Sequence, residues 1–291
     1  MSEFYLTALQ LSLCLGAMAM GIFITMKIFN IPDITTDGSY TLGATVTAVL
    51  LTQHWPVIAV LPVAMFAGAV AGVCTGFIHT KLKIDALLAG ILVMTGLYSI
   101  NLIILGRSNV PLINMTTLFS VVSFFSNDIY NQLLIGLVII ILLMLLLTYL
   151  LKTDFGIAMR ATGNSSTMTR ALGVNNEKMK IIGLAVANSL TALSGFLVAQ
   201  YQGFTDINMG IGIVITGLGS VLIADALRLW LGLTRIGIQI LLVVVGSFLF
   251  QLVLAITLAL GVDPNLLKLV TALFVLLIVA LPRVSSQLRK G

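Results

Sequence analysis

Long runs without a charged residue constrain this chain more than any other feature. A helix needs about 20 mostly apolar residues to cross the hydrocarbon core of a membrane. Six uncharged segments meet or approach that length: residues 4–26, 86–106, 129–151, 181–200, 207–224 and 236–260. Only 9% of the residues are charged, against about 25% in soluble domains. These runs therefore exclude a water-soluble fold.

Two further segments complete the predicted membrane topology. Residues 38–80 carry no charge, and this run is far too long for one helix that rises about 1.5 Å per residue. His54-Trp55-Pro56 is its natural break, which leaves either two spans or one span with a half-helix. Residues 269–282 form a shorter final segment. We therefore predict an all-α polytopic membrane protein with about nine crossings, in a range of 8–10, that forms a single transmembrane domain over residues 1–291.

The basic residues predict an orientation. Positive residues concentrate in cytoplasmic loops, and a topology with the N-terminus outside leaves only Arg107 and Lys268 on the outer side. We therefore expect a multi-pass protein of the bacterial plasma (inner) membrane with a cytosolic C-terminus. The net charge of +5 is explained by this bias, so we predict no nucleic-acid partner.

One polar island interrupts this apolar chain at residues 152–180. It holds five of the fifteen basic residues. Side-chain oxygens in the Asn164-Ser165-Ser166-Thr167 run can accept bonds from the free N–H groups of a helix start, and Gly173 is a typical helix stop. The pattern predicts a short cytosolic helix near residues 165–172.

That short helix would present an apolar face. Met168 lies three and four residues before Ala171 and Leu172, whereas Thr169 and Arg170 point elsewhere. Isolated helices of fewer than about 12–15 residues are marginal in water. The helix must therefore pack either on its own membrane domain or on a partner, and the residues alone leave both alternatives open.

A larger pattern around this island resembles the permeases of ABC importers. The residues that carry the resemblance are Gly156, Arg160-Ala161, Gly163-Asn164, Ala171, Gly173-Val174-Asn175, Asn188-Ser189 and Ala192, with Ser194-Gly195-Phe196-Leu197. The branch is the one that includes permeases for branched-chain amino acids and ribose. Residues 30–44 are similar to a subgroup paired with binding proteins for aromatic or related amino acids. The resemblance covers most of the chain and implies a coupling helix in the central loop, which seats in a groove of an ATPase subunit.

The resemblance also implies an assembly. We expect a cytosolic ABC ATPase dimer that holds ATP and Mg, an extracytoplasmic substrate-binding protein or lipoprotein, and a second copy of this chain. The chain itself has no G-x-x-x-x-G-K-[ST] motif to cradle ATP phosphates. We predict a transport subunit without a catalytic residue, metal or cofactor of its own. The predicted ATPase-coupling residues are Arg160, Gly163, Asn164, Met168, Arg170, Ala171, Leu172 and Gly173.

Polar side chains within the predicted spans suggest a translocation path. Such residues are costly in lipid and usually face a bundle interior or a cavity. Bonding between helices is the more common explanation for any one of them, whereas together they could line a path. The candidates are Thr45, Thr47, Asn101, Asn188, Thr191, Ser194 and Thr216. A small polar solute, such as an amino acid, fits a path of this kind.

Two other function classes fit the sequence less well. An ion-coupled secondary transporter normally uses acidic groups deep in its spans, and we expect only Asp225 to lie near a span interior. An intramembrane enzyme would need a nucleophile with an adjacent base, and the sequence offers no such set. The ion-coupled transporter stays open as the alternative.

Two segments of the chain look like distant copies of each other. Residues 31–38 and 204–212 each combine an acidic residue, Ile, a small polar residue and Gly just before a membrane segment. Interrupted segments at matching positions of two repeats point to the translocation path in many transporters. Chance similarity explains the pattern as well, so the sequence leaves the duplication open.

Overall fold

The structure, a computed structural model, describes residues 2–121, 127–263 and 266–288. These residues are almost entirely helical, which confirms the predicted all-α polytopic fold. The α-helices are α1 (Ser2–Phe23), α2 (Thr35–Thr52), α3 (Val57–Lys81), α4 (Ala86–Leu105), α5 (Leu118–Val121), α6 (Asp128–Lys152), α7 (Asp154–Asn164), α8 (Ser166–Ala171), α9 (Asn176–Gln202), α10 (Ile213–Leu231), α11 (Ile236–Ala259) and α12 (Leu267–Leu288). A π-helical turn, Ile24–Ile28, continues α1.

Seven helices of the described part of the chain are long and apolar enough to cross a membrane. They are α1 with its π-helical turn, α3, α4, α6, α9, α10 and α11. The other two predicted segments are α2 and α12. Helix α2 is more polar and almost wholly buried by its neighbours, and α12 contains a shorter apolar stretch, Leu267–Ile278, among its described residues. The predicted break at His54-Trp55-Pro56 is confirmed, because α2 ends and α3 begins on either side of it.

Helix α9 lies at the centre of the bundle, where α1, α2 and α3 surround it. Its middle is buried from Leu190 to Gln200. Helix α2 approaches it very closely, since a Cβ atom added at Gly43 would lie 2.0 Å from the carbonyl oxygen of Ala192. A Cβ atom at Gly195 would lie as close to the carbonyl oxygen of Tyr40. Small residues allow this backbone contact, which replaces the hydrophobic driving force that helices lack in lipid.

Two helices begin inside this bundle. After the π-helical turn, the chain runs without helix to α2, and the ring of Phe29 packs against Gly183 of α9. The side chain of Asp33 then reaches Asn188, which lies halfway along α9. Helix α10 starts only at Ile213, beside Asp37. The prediction of one continuous span over residues 207–224 was therefore wrong at its start, because residues 207–212 form turns and not helix.

A small β-ribbon joins the segment after α4 to the segment that precedes α10 in the chain. Strand β1 (Asn109–Pro111) pairs antiparallel with β2 (Phe204–Asp206), with Val110 opposite Thr205. No alternating pattern in the sequence is long enough to predict these three-residue strands. The ribbon fixes the chain that turns back from the end of α9, and the hydroxyl of Thr205 donates to the carbonyl of Ala44 in α2.

Candidate functional site

The predicted short helix is present as α8. The hydroxyl of Ser165 accepts a hydrogen bond from the backbone N–H of Met168 at 3.4 Å, and so caps the helix start. Gly173 adopts the left-handed conformation (φ 81°) that ends the helix, and its N–H donates to the carbonyl of Arg170. Both ends of the helix were predicted correctly, since start and stop signals act within a few residues.

A second helix of the polar island, α7, was missed by the sequence analysis. The hydroxyl of Thr153 caps it by accepting from the N–H of Gly156. Its buried residues are Gly156, Met159 and Thr162, at a spacing of three. Only one of the three is a large apolar residue, so the periodic signal was weak. The island is thus a helical hairpin rather than a loop with one helix.

A polar cluster holds α8 against the start of α9. The hydroxyl of Thr169 donates to Oδ1 of Asn176 at 2.8 Å, and Nδ2 of Asn176 donates to the carbonyl of Ser166. Thr162 of α7 lies 3.4 Å from the same amide oxygen. The sequence analysis missed Thr162, Thr169 and Asn176. Thr169 points away from the apolar face, as expected, and the structure shows that it is buried and faces the bundle.

The apolar face of α8 is left open by this arrangement. The side chain of Met168 is 65% exposed and that of Leu172 is 71% exposed. Arg170 and Ala171 are exposed beside them. The helix itself packs on its own membrane domain through Thr169, which is the first of the two alternatives, whereas its apolar face stays exposed.

The base of the hairpin rests on the end of α1. A Cβ atom added at Gly163 would lie 1.6 Å from the carbonyl oxygen of Ile28, so only glycine fits there. The side chain of Asn30 also donates to the carbonyl of Gly163. Arg160 and Asn164 line a cavity beside this contact. The predicted coupling residues thus fall into two groups, one at the base of the hairpin and one at its exposed tip.

A buried polar network lies where the helices break. Oδ2 of Asp33 accepts from Nδ2 of Asn188 at 2.8 Å, and Oδ1 accepts from the backbone N–H of Thr35 at 2.9 Å. The amide oxygen of Asn188 in turn accepts from the hydroxyl of Ser39 at 2.7 Å. The network joins the start of α2 to the middle of α9.

A second buried acid caps a distant helix. The two carboxylate oxygens of Asp37 accept from the N–H groups of Gly212 and Val214 at 2.8 and 2.9 Å. These N–H groups belong to the start of α10, which has no side-chain cap of its own. Negative charge also complements the positive end of a helix dipole. Asp37 therefore ties the start of α2 to the start of α10.

The expectation that Asp225 is the only acid near a span interior was wrong. Asp33 and Asp37 are both nearly fully buried. The sequence analysis placed the charge-free run at residues 38–80 and took the two acids as flanking residues, whereas α2 begins before Asp37. Their oxygens are occupied by structural hydrogen bonds, so they stabilise the breaks in the helices.

The two segments that resemble each other in sequence share a local geometry. Asp33 accepts from the N–H two residues later, at Thr35, and Asp206 does the same with Asn208. Each segment precedes a helix that starts inside the bundle, and the two meet where Gly210 lies against the carbonyl of Asp37. These contacts favour a duplication, which stays a prediction.

The predicted path residues are all buried within the bundle. Several of them bond to backbone carbonyls: Thr47 to Gly43, Asn101 to Gly38, Thr191 to Ala187 and Ser194 to Cys14. Asn188 belongs to the network with Asp33, and Thr216 is buried in α10. The hydroxyl of Thr45 has no hydrogen-bond partner within the part of the chain that the structure describes. None of the seven lines the cavity beside Arg160. Their place in a translocation path stays a prediction.

Comparison with known proteins gives the family. Residues 4–281 match the family described as the permease component of the branched-chain amino acid transport system. The chain belongs to this permease family. The permeases of the family are components of ABC-type transporters for amino acids or sugars, and they work with ATPase and substrate-binding partners. The chain is therefore a multi-pass protein of the inner membrane.

Two relatives match the chain over almost its whole length, and a third matches a part of it. A tyrosine transport system permease protein of Clostridioides difficile is 40% identical over 280 residues, which are 96% of this chain and 91% of the relative. An uncharacterised protein of Rickettsia prowazekii is 34% identical over 97% of this chain and 98% of its own length. A ribose import permease protein of Haemophilus influenzae is 26% identical over 70% of this chain and 63% of its own length.

Proposed function

We propose that this permease carries an amino acid inward across the membrane and is driven by ATP hydrolysis on a separate ATPase. The observation that carries the proposal is the exposed apolar face of α8. The helix is fastened to the bundle by buried polar groups, while Met168 and Leu172 face outward. An apolar face of this kind on a fixed helix suits a groove on a cytosolic partner.

The proposed assembly contains two copies of the chain. Each chain offers one exposed α8, and an ATPase dimer offers two equivalent grooves. A homodimer is the simplest match, since closed twofold symmetry is the commonest arrangement of identical chains. A binding protein on the outer face delivers the substrate, and ATP and Mg bind to the ATPase, with no cofactor in this chain.

The proposed orientation places the hairpin of α7 and α8 in the cytosol, with the N-terminus outside and the C-terminus inside. Basic side chains gather at this end of the bundle: Lys81 pairs with Glu177 at the start of α9, and Lys27 lies near Arg160 in one cavity. The positive-inside rule assigns such an end to the cytosol.

The proposed substrate is an aromatic amino acid. The relative with 40% identity is named for tyrosine transport, and the residues 30–44 that resemble the aromatic amino acid subgroup form the break before α2 and its first turns. The break lies beside the start of α10, to which the carboxylate of Asp37 connects the start of α2. We propose that the path runs along these ends, with Thr45, Thr47, Asn101, Asn188, Thr191, Ser194 and Thr216 in its wall.

The contacts suggest how movement of the hairpin reaches this path. Gly163 presses on Ile28, the chain continues from there to Asp33, and Asp37 holds α10. Because backbone contact leaves no free space at Gly163, displacement of α7 has to move the end of α1. We propose that ATP-driven closure of the ATPase opens or closes the path through this chain of contacts.

The test is substitution of the exposed face of α8. In Met168→Asp and Leu172→Asp, a carboxylate would enter the apolar groove of the ATPase. We expect both variants to fold and to lose most ATP-driven uptake, together with the co-purifying ATPase. Leu82→Asp is the matched control, since Leu82 is also an exposed leucine, 58% exposed, between α3 and α4. Normal uptake by the Met168 and Leu172 variants would contradict the proposal.

A further inference from the structure

A cleft with an excess of positive charge lies between the end of α1 and the ends of α10 and α11. Two adjoining cavities of about 200 and 260 Å³ form it, and both are lined by Phe23, Lys27 and Gln239. The larger cavity extends to Arg160 and Asn164 of α7. The cleft therefore joins the membrane bundle to the base of the hairpin.

The charges in this cleft do not balance. Its lining contains three cations, Lys27, Arg160 and Arg228, and a single acid, Asp225. The carboxylate of Asp225 is shared, with Lys27 Nζ at 2.6 Å and Arg228 Nε at 3.0 Å. No carboxylate in either cavity remains for Arg160.

Arg160 also carries an unsatisfied donor. Its Nε atom is buried and has no hydrogen-bond partner among the described residues. A buried donor to which nothing bonds is costly, and the cost is greater when the group is charged. A guanidinium with an unused N–H matches the geometry of a phosphate or carboxylate, to which it can donate two parallel bonds. The cleft thus has an excess of positive charge, and it is lined by a guanidinium, a group suited to binding oxyanions.

The position of the cleft suggests where this oxyanion comes from. Trp230 follows Arg228 by two residues on α10 and is 82% exposed. Tryptophan concentrates at the membrane–water interface, at the level of the lipid headgroups. Basic pockets between membrane helices on the cytoplasmic side are known to bind anionic headgroups.

We propose that this cleft binds a phosphate oxyanion, between Arg160 of α7, Lys27 of α1 and Arg228 of α10. An anionic phospholipid of the inner leaflet and free inorganic phosphate share this chemistry. The bound phosphate accepts from Arg160 and neutralises the excess charge beside Asp225.

A bound phosphate would brace the hairpin against the bundle. Arg160 belongs to α7, while Lys27 and Arg228 belong to α1 and α10, so one anion bridges three elements. This consequence rests on the proposed function. If the hairpin of α7 and α8 drives transport, the bound anion would stiffen the contact between that hairpin and the proposed translocation path. Binding itself is measured without the ATPase, so failure of the proposed function and failure of the site can be told apart.

The experiment uses the full chain, purified and delipidated in a neutral detergent. Phosphatidylglycerol, phosphatidylcholine and inorganic phosphate are added separately, and native mass spectrometry and the thermal unfolding midpoint report binding. We expect phosphatidylglycerol to be retained and to raise the midpoint, and phosphatidylcholine to do neither. An equal effect of inorganic phosphate would support the site and identify a soluble anion as its ligand.

Substitution of Arg160 tests whether the anion binds in this cleft. Arg160→Gln removes a charge-assisted hydrogen bond and should weaken phosphatidylglycerol binding at least about tenfold, which corresponds to about 1.4 kcal/mol. Arg107→Gln is the matched control, because Arg107 is an exposed arginine far from the cleft in sequence, and it should bind like the wild type. Equal binding by the two variants, or no discrimination between the anionic and neutral additives by the wild type, would overturn the proposal. If Arg160→Gln does not fold, the wild-type comparison decides alone.

Discussion

A single glycine carries the contact between the hairpin and the membrane bundle. Gly163→Ala would place a Cβ atom 1.6 Å from the backbone oxygen of Ile28. Alanine favours a helix over glycine by about 1 kcal/mol, but forced overpacking costs about 1–3 kcal/mol, and a backbone atom cannot turn aside. We therefore expect a net loss of stability, measured as a lower thermal unfolding midpoint in detergent.

Gly96→Ala is the control for this substitution. Gly96 also lies within a helix, α4, but nothing lies within 4 Å of an added Cβ atom there. Its unfolding midpoint should stay the same or rise slightly. Equal midpoints for the Gly163 and Gly96 variants would show that α7 does not rest on α1 as described.

Substitution of Asn188 should also lower the free energy of unfolding by a predictable amount. Asn188→Leu removes the donor to Asp33 and the acceptor of Ser39, and it leaves a buried carboxylate without that partner. A hydrogen bond to a charged group contributes about 1.5–3 kcal/mol, so we expect a loss at the upper end of this range in thermal or chemical unfolding.

Thr191→Val on the same helix supplies the comparison. Thr191 is equally buried, but its hydroxyl donates to the carbonyl of Ala187 within its own helix, α9. Valine keeps the shape, so we expect a loss of no more than about 1 kcal/mol. If the Asn188 variant were no less stable than the Thr191 variant, the network with Asp33 would not hold the break in the helix.

At the residue scale, hydrogen bonds within one turn were predictable from the sequence, and hydrogen bonds between residues far apart in the chain were not. Ser165 and Gly173 bond within their own turn, so the residue types alone located α8. Asp37 caps a helix that begins 176 residues later in the chain, and no spacing in the sequence indicates such a partner. For the same reason the burial of Asp33 was missed.

At the scale of elements, the fixation of α8 makes a prediction about dynamics. Asn176 bonds to Thr169 and to the carbonyl of Ser166, and a six-residue helix cannot persist in water without such support. Asn176→Leu should therefore increase hydrogen exchange of the α8 amides, measured by mass spectrometry of peptides that cover residues 162–175. Helix α3 should exchange as in the wild type.

Lys178→Ala is the control at this scale. Lys178 is an exposed residue of the same first turn of α9, and its side chain has no role in the cluster. Its exchange pattern should match that of the wild type. Faster exchange of α8 in both variants, or in neither, would contradict the assignment of Asn176 as the anchor of the helix.

Most helices were predictable because their apolar runs are long and uninterrupted. Helices α4, α6 and α11 start and end within two residues of the predicted segments. Helix α10 was placed too early, since the uncharged residues 207–212 look the same in sequence whether they form turns or helix. Helix α7 was missed because its buried face contains glycine and threonine, which carry little hydrophobic signal.

At the scale of the whole molecule, the chain belongs to a permease family in which a separate ATPase hydrolyses ATP. The buried acids that would suit ion coupling are occupied, because Asp33 bonds Asn188 and Asp37 caps α10. The exposed face of α8 is instead available to a partner. The architecture therefore favours a permease whose conformational change is driven by a partner protein over an ion-coupled carrier.

The most direct measurement is uptake of tyrosine, a member of the proposed substrate class, into vesicles that contain this chain with its proposed ATPase and binding-protein partners. We predict uptake that requires ATP, survives dissipation of the proton and sodium gradients, and disappears in Leu172→Asp. Uptake without ATP that follows an imposed ion gradient, and is unaffected by Leu172→Asp, would contradict the account and favour a secondary transporter.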